Sequence, residues 1–186
     1  MTDTSLALLI LGSVLLLLAR RKSEEQIPPP SALLGQARTI LSRLAPYQGI
    51  INELARFYGL DPNLVMAVIW RESGGDPNAV GDDGKSFGLM QVTLDAAKDV
   101  GFWPITAEIL LIPQDNIETG AAYLAHLRRT YDLTWEQTVA AYNWGIGNVS
   151  KAKARGVGLS RYPRKVQNYV AAVLAYWEAL RAVTVV

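Results

Sequence analysis

The chain has no cysteine and a single histidine among its 186 residues. The first absence excludes disulfides, thiolate nucleophiles, lipid attachment at Cys and Cys-based zinc sites together. It leaves the compartment open, because an exported protein need not carry disulfides. The second leaves His126, in "GAAYLAHLRRTY", without companions at metal-ligand spacing, so it reads as an ordinary helix residue. One-sided charge is also missing. Lys and Arg number 18 against 17 Asp and Glu, a net charge of +1, and the basic residues are scattered between acids. No electrostatic footprint for nucleic acid is expected. Alternation of strand type is scarce, and no internal repeat is visible.

What the chain does have is apolar bulk. Hydrophobic residues make up 50% of it, enough at this length for one sizeable core with appendages. The first appendage is "SLALLILGSVLLLLA", residues 5–19, uncharged and bounded by "RRK" at 20–22. A membrane span usually needs about 17–25 apolar residues, and snorkelling Arg20, Arg21 and Lys22 extend this run toward that length. A secretory signal would place positive charge before the run and a small-x-small site after it, whereas Asp3 precedes and Arg20 follows. Residues 1–22 are therefore expected to be an uncleaved single-pass anchor in a lipid bilayer. Residues 23–31 read as a polar, proline-stiffened linker, and residues 32–186 as the main domain. The basic flank predicts that this domain faces the cytoplasm during synthesis.

The main domain should be mostly α. Helices are expected over about 33–44, 50–58, and from Pro62, capped by Asp61, to about Glu72. Residues 74–88 form a Gly-, Asp- and Asn-rich loop in which any strand pairing is short. Further helices are expected from the Thr93 cap to about Val100, from Pro113 to about Tyr131, from the Thr134 cap to Tyr142, over about 148–154, and from Pro163 to Ala182. The last carries Val166, Tyr169, Val170, Val173, Trp177 and Leu180 on one stripe.

Glu72 stands out in "VIWRESGGDPNAVGDDGKSFGLMQV", residues 68–92. Leu64, Val65, Ala67, Val68, Ile69 and Trp70 make its helix central, and Glu72 follows Val68 by four residues on a core-facing side. Lost hydration and the negative end of the helix dipole both push its pKa upward. Such a group holds a proton near neutrality and can give it to a leaving oxygen, as a glycosidase acid does. The bland alternative is an exposed Glu72 paired with Arg71 or Lys85 at a frayed helix end. Gly74 and Gly75 argue for a sharp end that leaves Glu72 at the edge of a groove. Ser73 and Ser86 offer hydroxyls, and "GLMQ" brings Met90 and Gln91 after a glycine that permits close approach. Tyr123, "AYNWG" at 141–145, Tyr162 and Tyr169 add the aromatic faces and amides with which a cleft holds a glycan.

These residues resemble the lytic transglycosylase SLT domain, glycoside hydrolase family 23, which also contains goose-type lysozyme. "ESGGDPNAVGDDGKSFGLMQV" is similar to its Glu-Ser, Asn-Pro-x-Ala and Gly-Leu-Met-Gln signature. "NIETGAAYLAHL" is similar to its Asn-Ile, Gly and Tyr-Leu motif, "AYNWGIGNV" to its Ala-Tyr-Asn motif, and "YPRKVQNYVAAV" to its closing Tyr-Val segment. The resemblance spans about residues 50–178. It implies a lysozyme-like fold with a glycan-binding cleft and cleavage of the β-1,4 bond between N-acetylmuramic acid and N-acetylglucosamine in peptidoglycan, with neither metal nor cofactor. It makes Glu72 the sole acid/base and places Ser73, Ser86, Met90, Gln91, Tyr123, Tyr142, Asn143 and Tyr169 along the cleft.

Three departures from the family pattern stand out. Trp144 occupies a position that is commonly small, and Lys165 one that is often acidic. "GLMQV" with Asp95 nearby is also similar to goose-type lysozyme, in which Asp82, Asp83 or Asp95 would position a water for hydrolysis. A non-catalytic glycan-binding module is the alternative of a different class. A cytoplasmic domain cannot reach peptidoglycan, so the basic flank favours storage in a phage virion membrane, with a bacterial inner membrane and periplasmic domain as runner-up.

Overall fold

The computed structural model describes residues 28–184. The apolar run at 5–19, with the anchor expected of it, lies outside them. Among the described residues no helix is long and apolar enough to cross a membrane.

The chain folds as helices around one short sheet. α1 (Pro30–Leu44) starts two residues inside the segment read as linker, with a proline in its first turn, and runs into a 3-10 turn at Ala45–Tyr47. α2 (Gln48–Tyr58) ends on Gly59 in the left-handed conformation. α3 (Pro62–Ser73) starts as expected from Asp61, whose side chain accepts a hydrogen bond from the Asn63 amide. Then come β1 (Val80–Gly81), β2 (Ser86–Phe87) and β3 (Val92–Thr93), an antiparallel sheet in sequence order. Its register pairs Val80 with Phe87 and Phe87 with Val92. The expectation of short pairing in the 74–88 loop holds for β1 and β2, which have two residues each; the pairing is regular antiparallel, and β3 lies beyond that loop.

α4 (Leu94–Asp99) is capped by Thr93 as expected. α5 (Ala107–Leu110), a four-residue helix capped by Thr106, gave no periodic signal because it is barely one turn long. α6 (Pro113–Thr130) and α7 (Trp135–Trp144) follow, the latter with a full capping box between Thr134 and Gln137. α8 (Ile146–Ala154), a 3-10 turn at Leu159–Arg161 and α9 (Arg164–Thr184) complete the fold.

α3 is the centre of the molecule. Six consecutive residues, Leu64 to Ile69, are buried, which only a helix covered on every side permits. α9 packs across α3, α1 and α7, while α6 packs against α2, α7 and α4. The α9 stripe behaves as read: Val166, Tyr169, Val170, Val173 and Leu180 are in the core, with Trp177 half-buried beside it. His126 is a helix residue on α6, its ring 3.2 Å from the Thr130 hydroxyl.

Candidate active site

α3 delivers Glu72 in its last turn, and the chain then turns away sharply. Gly74 caps the helix at φ 62° and Gly75 follows at φ 82°, both in the left-handed region that glycine enters without a Cβ penalty. The helix end is therefore closed rather than frayed, and no ion pair joins Glu72 to Arg71 or Lys85 among the described residues. Instead α9 brings Tyr169, 4% exposed, to donate a hydrogen bond to Glu72 Oε1. The Arg71 guanidinium lies over the Tyr169 ring, 5.5 Å from its centroid.

Burial raises the Glu72 carboxyl from 4.5 to about 7, opposed by the Tyr169 hydrogen bond and the Arg71 charge and assisted by the charge of Asp82. Desolvation dominates because the packing around the end of α3 removes water from the ionised form more than Tyr169 replaces it. Burial, with the Glu72 charge behind it, pushes the hydroxyls of Tyr169 and Tyr142 well above the usual tyrosine range. Both stay protonated and act as hydrogen-bond donors. Tyr142 Oη donates to the Met90 carbonyl at 2.9 Å, and its ring lies 5.7 Å from that of Tyr123. Burial pushes Tyr123 up to about 12.

The remaining sequence-predicted residues fall into a different role. Ser73 Oγ donates to the Leu89 carbonyl at 2.8 Å and accepts from the Gly75 amide at 3.1 Å. Ser86, buried, donates to Gln91 Oε1 at 2.9 Å, and Gln91 Nε2 donates to the Ala79 and Gly88 carbonyls at 3.0 Å each. The Gln91 amide is thereby occupied by the loop itself, holding a backbone bent to φ 48°. Met90 is wholly buried, its side chain packed where a Cβ on Gly120 would come within 2.5 Å of the sulfur. These four side chains brace the loop behind Glu72, and the Met90 carbonyl accepts the Tyr142 hydrogen bond. Asn143 is exposed at the end of α7, next to Tyr142.

One residue of the site was not singled out from sequence. Asn116 on α6 is wholly buried and accepts from the Met90 amide at 2.7 Å while donating to the carbonyls of Phe87 at 2.7 Å and Leu110 at 2.6 Å. It pins the strand-loop segment onto α6. The signal was an amide on an apolar helix face, beside Ile117 and Gly120 in "NIETG". Gly88, at φ 70°, clears the way for it, since a Cβ there would meet Asn116 Nδ2 at 2.5 Å. Of the three departures, Trp144 stacks on Tyr162 at 5.1 Å between ring centroids, and Lys165 is exposed. Of the three acids considered for a water, Asp82 is the one whose charge reaches Glu72.

The arrangement is similar to known proteins in sequence and in fold. The Transglycosylase SLT domain family matches residues 49–164. The membrane-bound lytic murein transglycosylase C of Cronobacter sakazakii is 38% identical over 120 residues, 58% of this chain and 33% of that protein. The chain thus spans about a third of the length of the curated relatives it matches. Among solved structures, the 70 kDa soluble lytic transglycosylase SLT70 from Escherichia coli aligns over 83% of this chain and 30% of its own, with a TM-score of 0.66 at 21% identity. A complex of the 70-kDa soluble lytic transglycosylase with bulgecin A aligns over 76% of this chain and 25% of its own, with a TM-score of 0.67 at 25% identity. With residues 49–164, more than half of its length, matched by that family, the chain belongs to the transglycosylase SLT domain family.

Proposed function

We propose that the protein cleaves the β-1,4 bond between N-acetylmuramic acid and N-acetylglucosamine in peptidoglycan and leaves a 1,6-anhydro-muramoyl end. The observation that carries this reading is Glu72, held at about 7 by burial and hydrogen-bonded by Tyr169. A single group at that pKa serves both halves of the reaction. As an acid it protonates the glycosidic oxygen while the bond to C1 breaks, a contribution of about 10² to 10⁴ in rate. As the resulting carboxylate, steadied by the Tyr169 hydroxyl, it takes the proton of the muramoyl C6 hydroxyl, whose oxygen bonds to C1. No water is consumed, and Glu72 ends protonated for the next turnover. Tyr123, Tyr142 and Asn143 are the side chains available to contact the glycan; Ser73, Ser86, Met90 and Gln91 support the wall behind it.

Asp82 favours a second reading. Its charge reaches Glu72 from the turn between β1 and β2, where Asp82 and Asp83 both take the left-handed conformation and the Gly84 amide closes on the Gly81 carbonyl at 3.0 Å. An acid held there would orient a water, and the enzyme would then be a goose-type hydrolase. Mass spectrometry of the sugars released from purified peptidoglycan separates the two: anhydro ends, lighter by one water, are expected, and reducing ends would overturn the transglycosylase assignment. Equal release by the protein and its Glu72→Gln variant would remove Glu72 from the chemistry, and release by neither would favour a binding module.

Membrane attachment through residues 5–19 is part of the proposal. It is supported by the length and flanks of that run and by the word membrane-bound in the relatives' names. The phage virion placement rests on the basic flank alone, and the relatives named above are bacterial. Protease digestion of the domain from outside intact spheroplasts would establish a periplasmic location.

A further inference from the structure

The last turn of α3 carries Arg71 next to Glu72, yet no ion pair joins these opposite charges among the described residues. Neighbours on a helix point about 100° apart, which accounts for part of this. Tyr169 of α9 accounts for the rest. Its hydroxyl donates to Glu72 Oε1, while its ring carries the Arg71 guanidinium, 5.5 Å from the centroid. One side chain thus takes both groups, the carboxyl at its hydroxyl and the cation over its face. The stacking is the contact that holds Arg71, because its buried Nε has no hydrogen-bond partner. A guanidinium nitrogen left in that condition is costly, and it calls for an explanation beyond packing.

The explanation lies in what the ring prevents. A guanidinium in contact with a carboxylate favours the ionised form and lowers its pKa by about one to three pH units. Glu72 paired in that way would be ionised near neutrality and would have no proton for a glycosidic oxygen. Without any cation, the carboxylate left after proton transfer would have only the Tyr169 hydroxyl to steady it. From its place over the ring, Arg71 favours the carboxylate without overcoming burial. Burial is the largest influence on the Tyr169 hydroxyl as well, and Arg71 opposes it, which makes that hydroxyl a better donor.

No other element supplies an equivalent charge. Asp82 from the β1–β2 turn acts on Glu72 in the opposite sense, and Tyr142 from α7 stays protonated. Arg43 from α1 lies against Gly75, and Lys85, Arg164 and Lys165 are exposed. Arg71 is the cation among these whose charge acts on Glu72.

We propose that Arg71 is a positioning residue for the cleavage: stacked on Tyr169, it fixes the hydroxyl that serves Glu72, and the ring in turn keeps the guanidinium off the carboxyl. The inference rests on the acid/base role proposed for Glu72. Its test follows the titration of the Glu72 side-chain carboxyl by carbon NMR in the full chain, alongside kcat and KM on purified peptidoglycan across pH. In Arg71→Met the midpoint is expected to rise by about one pH unit, with kcat down about tenfold and KM unchanged. Tyr169→Leu removes the ring and lets Arg71 reach Glu72, so the midpoint is expected to fall below that of the parent. Adding Arg71→Met to Tyr169→Leu is expected to cancel the fall, whereas a fall caused by water entering the space would persist.

An unmoved midpoint in Arg71→Met, or a fall in Tyr169→Leu that survives the second substitution, would overturn the proposal. So would a raised KM with an unmoved alkaline limb, which would make Arg71 a substrate contact instead. If near-ultraviolet circular dichroism shows that Tyr169→Leu does not fold, the Arg71→Met titration decides alone. That titration needs no substrate, so it scores Arg71 separately from the peptidoglycan reading, which fails if the parent protein releases no sugar.

Discussion

Replacing Glu72 by Gln removes a charge that the fold holds against its preference, so the variant should gain stability as it loses activity. The carboxyl titrates at about 7 in the folded protein against 4.5 ordinarily. Below pH 4.5 it is protonated whether the chain is folded or not, and contributes nothing. As pH rises from 4.5 to 7 the unfolded chain releases this proton while the folded one retains it, so folding is progressively disfavoured. Above 7 the cost is complete. At about 1.4 kcal/mol per pH unit the difference corresponds to about 3 kcal/mol, and partial contact with solvent brings the expected figure to about 1–3 kcal/mol. For a domain of this size that is a Tm about 2–10 °C above the parent protein at pH 8, closing to nothing near pH 4. Gln also retains an oxygen to accept from Tyr169, so packing is preserved. Thermal unfolding of both proteins across that pH range is the assay. A gain that is absent at pH 8, or that is the same at pH 4 and pH 8, would show that Glu72 carries no strained charge and would remove the physical basis for its acid role.

Tyr169→Phe takes away the hydrogen bond that favours the ionised Glu72, so its pKa should rise by about one to two pH units. The alkaline limb of kcat/KM against pH, expected near 7 in the parent, should move upward with it while kcat falls; an unmoved limb would refute the coupling. Asn116→Ala strips partners from the Met90 amide and the Phe87 and Leu110 carbonyls, all inside the fold. Each stranded group costs about 1–3 kcal/mol, so urea unfolding should show a loss of at least about 3 kcal/mol, with hydrogen exchange of the β-loop amides accelerated before the rest.

Much of the architecture was legible because local chemistry fixes helix ends. Asp61, Thr93 and Thr134 cap the helices assigned to them, and Pro62 and Pro113 sit in first turns as read. α5 escaped notice because a single turn has no period to show. Local sequence groups aromatic and polar residues with Glu72 but carries nothing that sorts them by role. Ser73, Ser86 and Gln91 offer polar atoms suited to a sugar, yet the fold spends those atoms on the Leu89, Ala79 and Gly88 carbonyls and on one another. A loop that closes against a helix must satisfy its own backbone before it can serve a ligand.

The sequence by itself determined that this chain is helical, that α3 is its buried centre and that Glu72 is a carboxyl placed where hydration is lost. Periodicity, caps and the spacing of four motifs carry that information locally. Only the tertiary structure decided what surrounds the carboxyl. Tyr169 comes from a helix 97 residues away and Tyr142 from another, and Asn116 fastens the loop between them. The pKa of Glu72 is a balance between desolvation by that wall and a hydrogen bond from α9, and both depend on distances through space that no local pattern encodes.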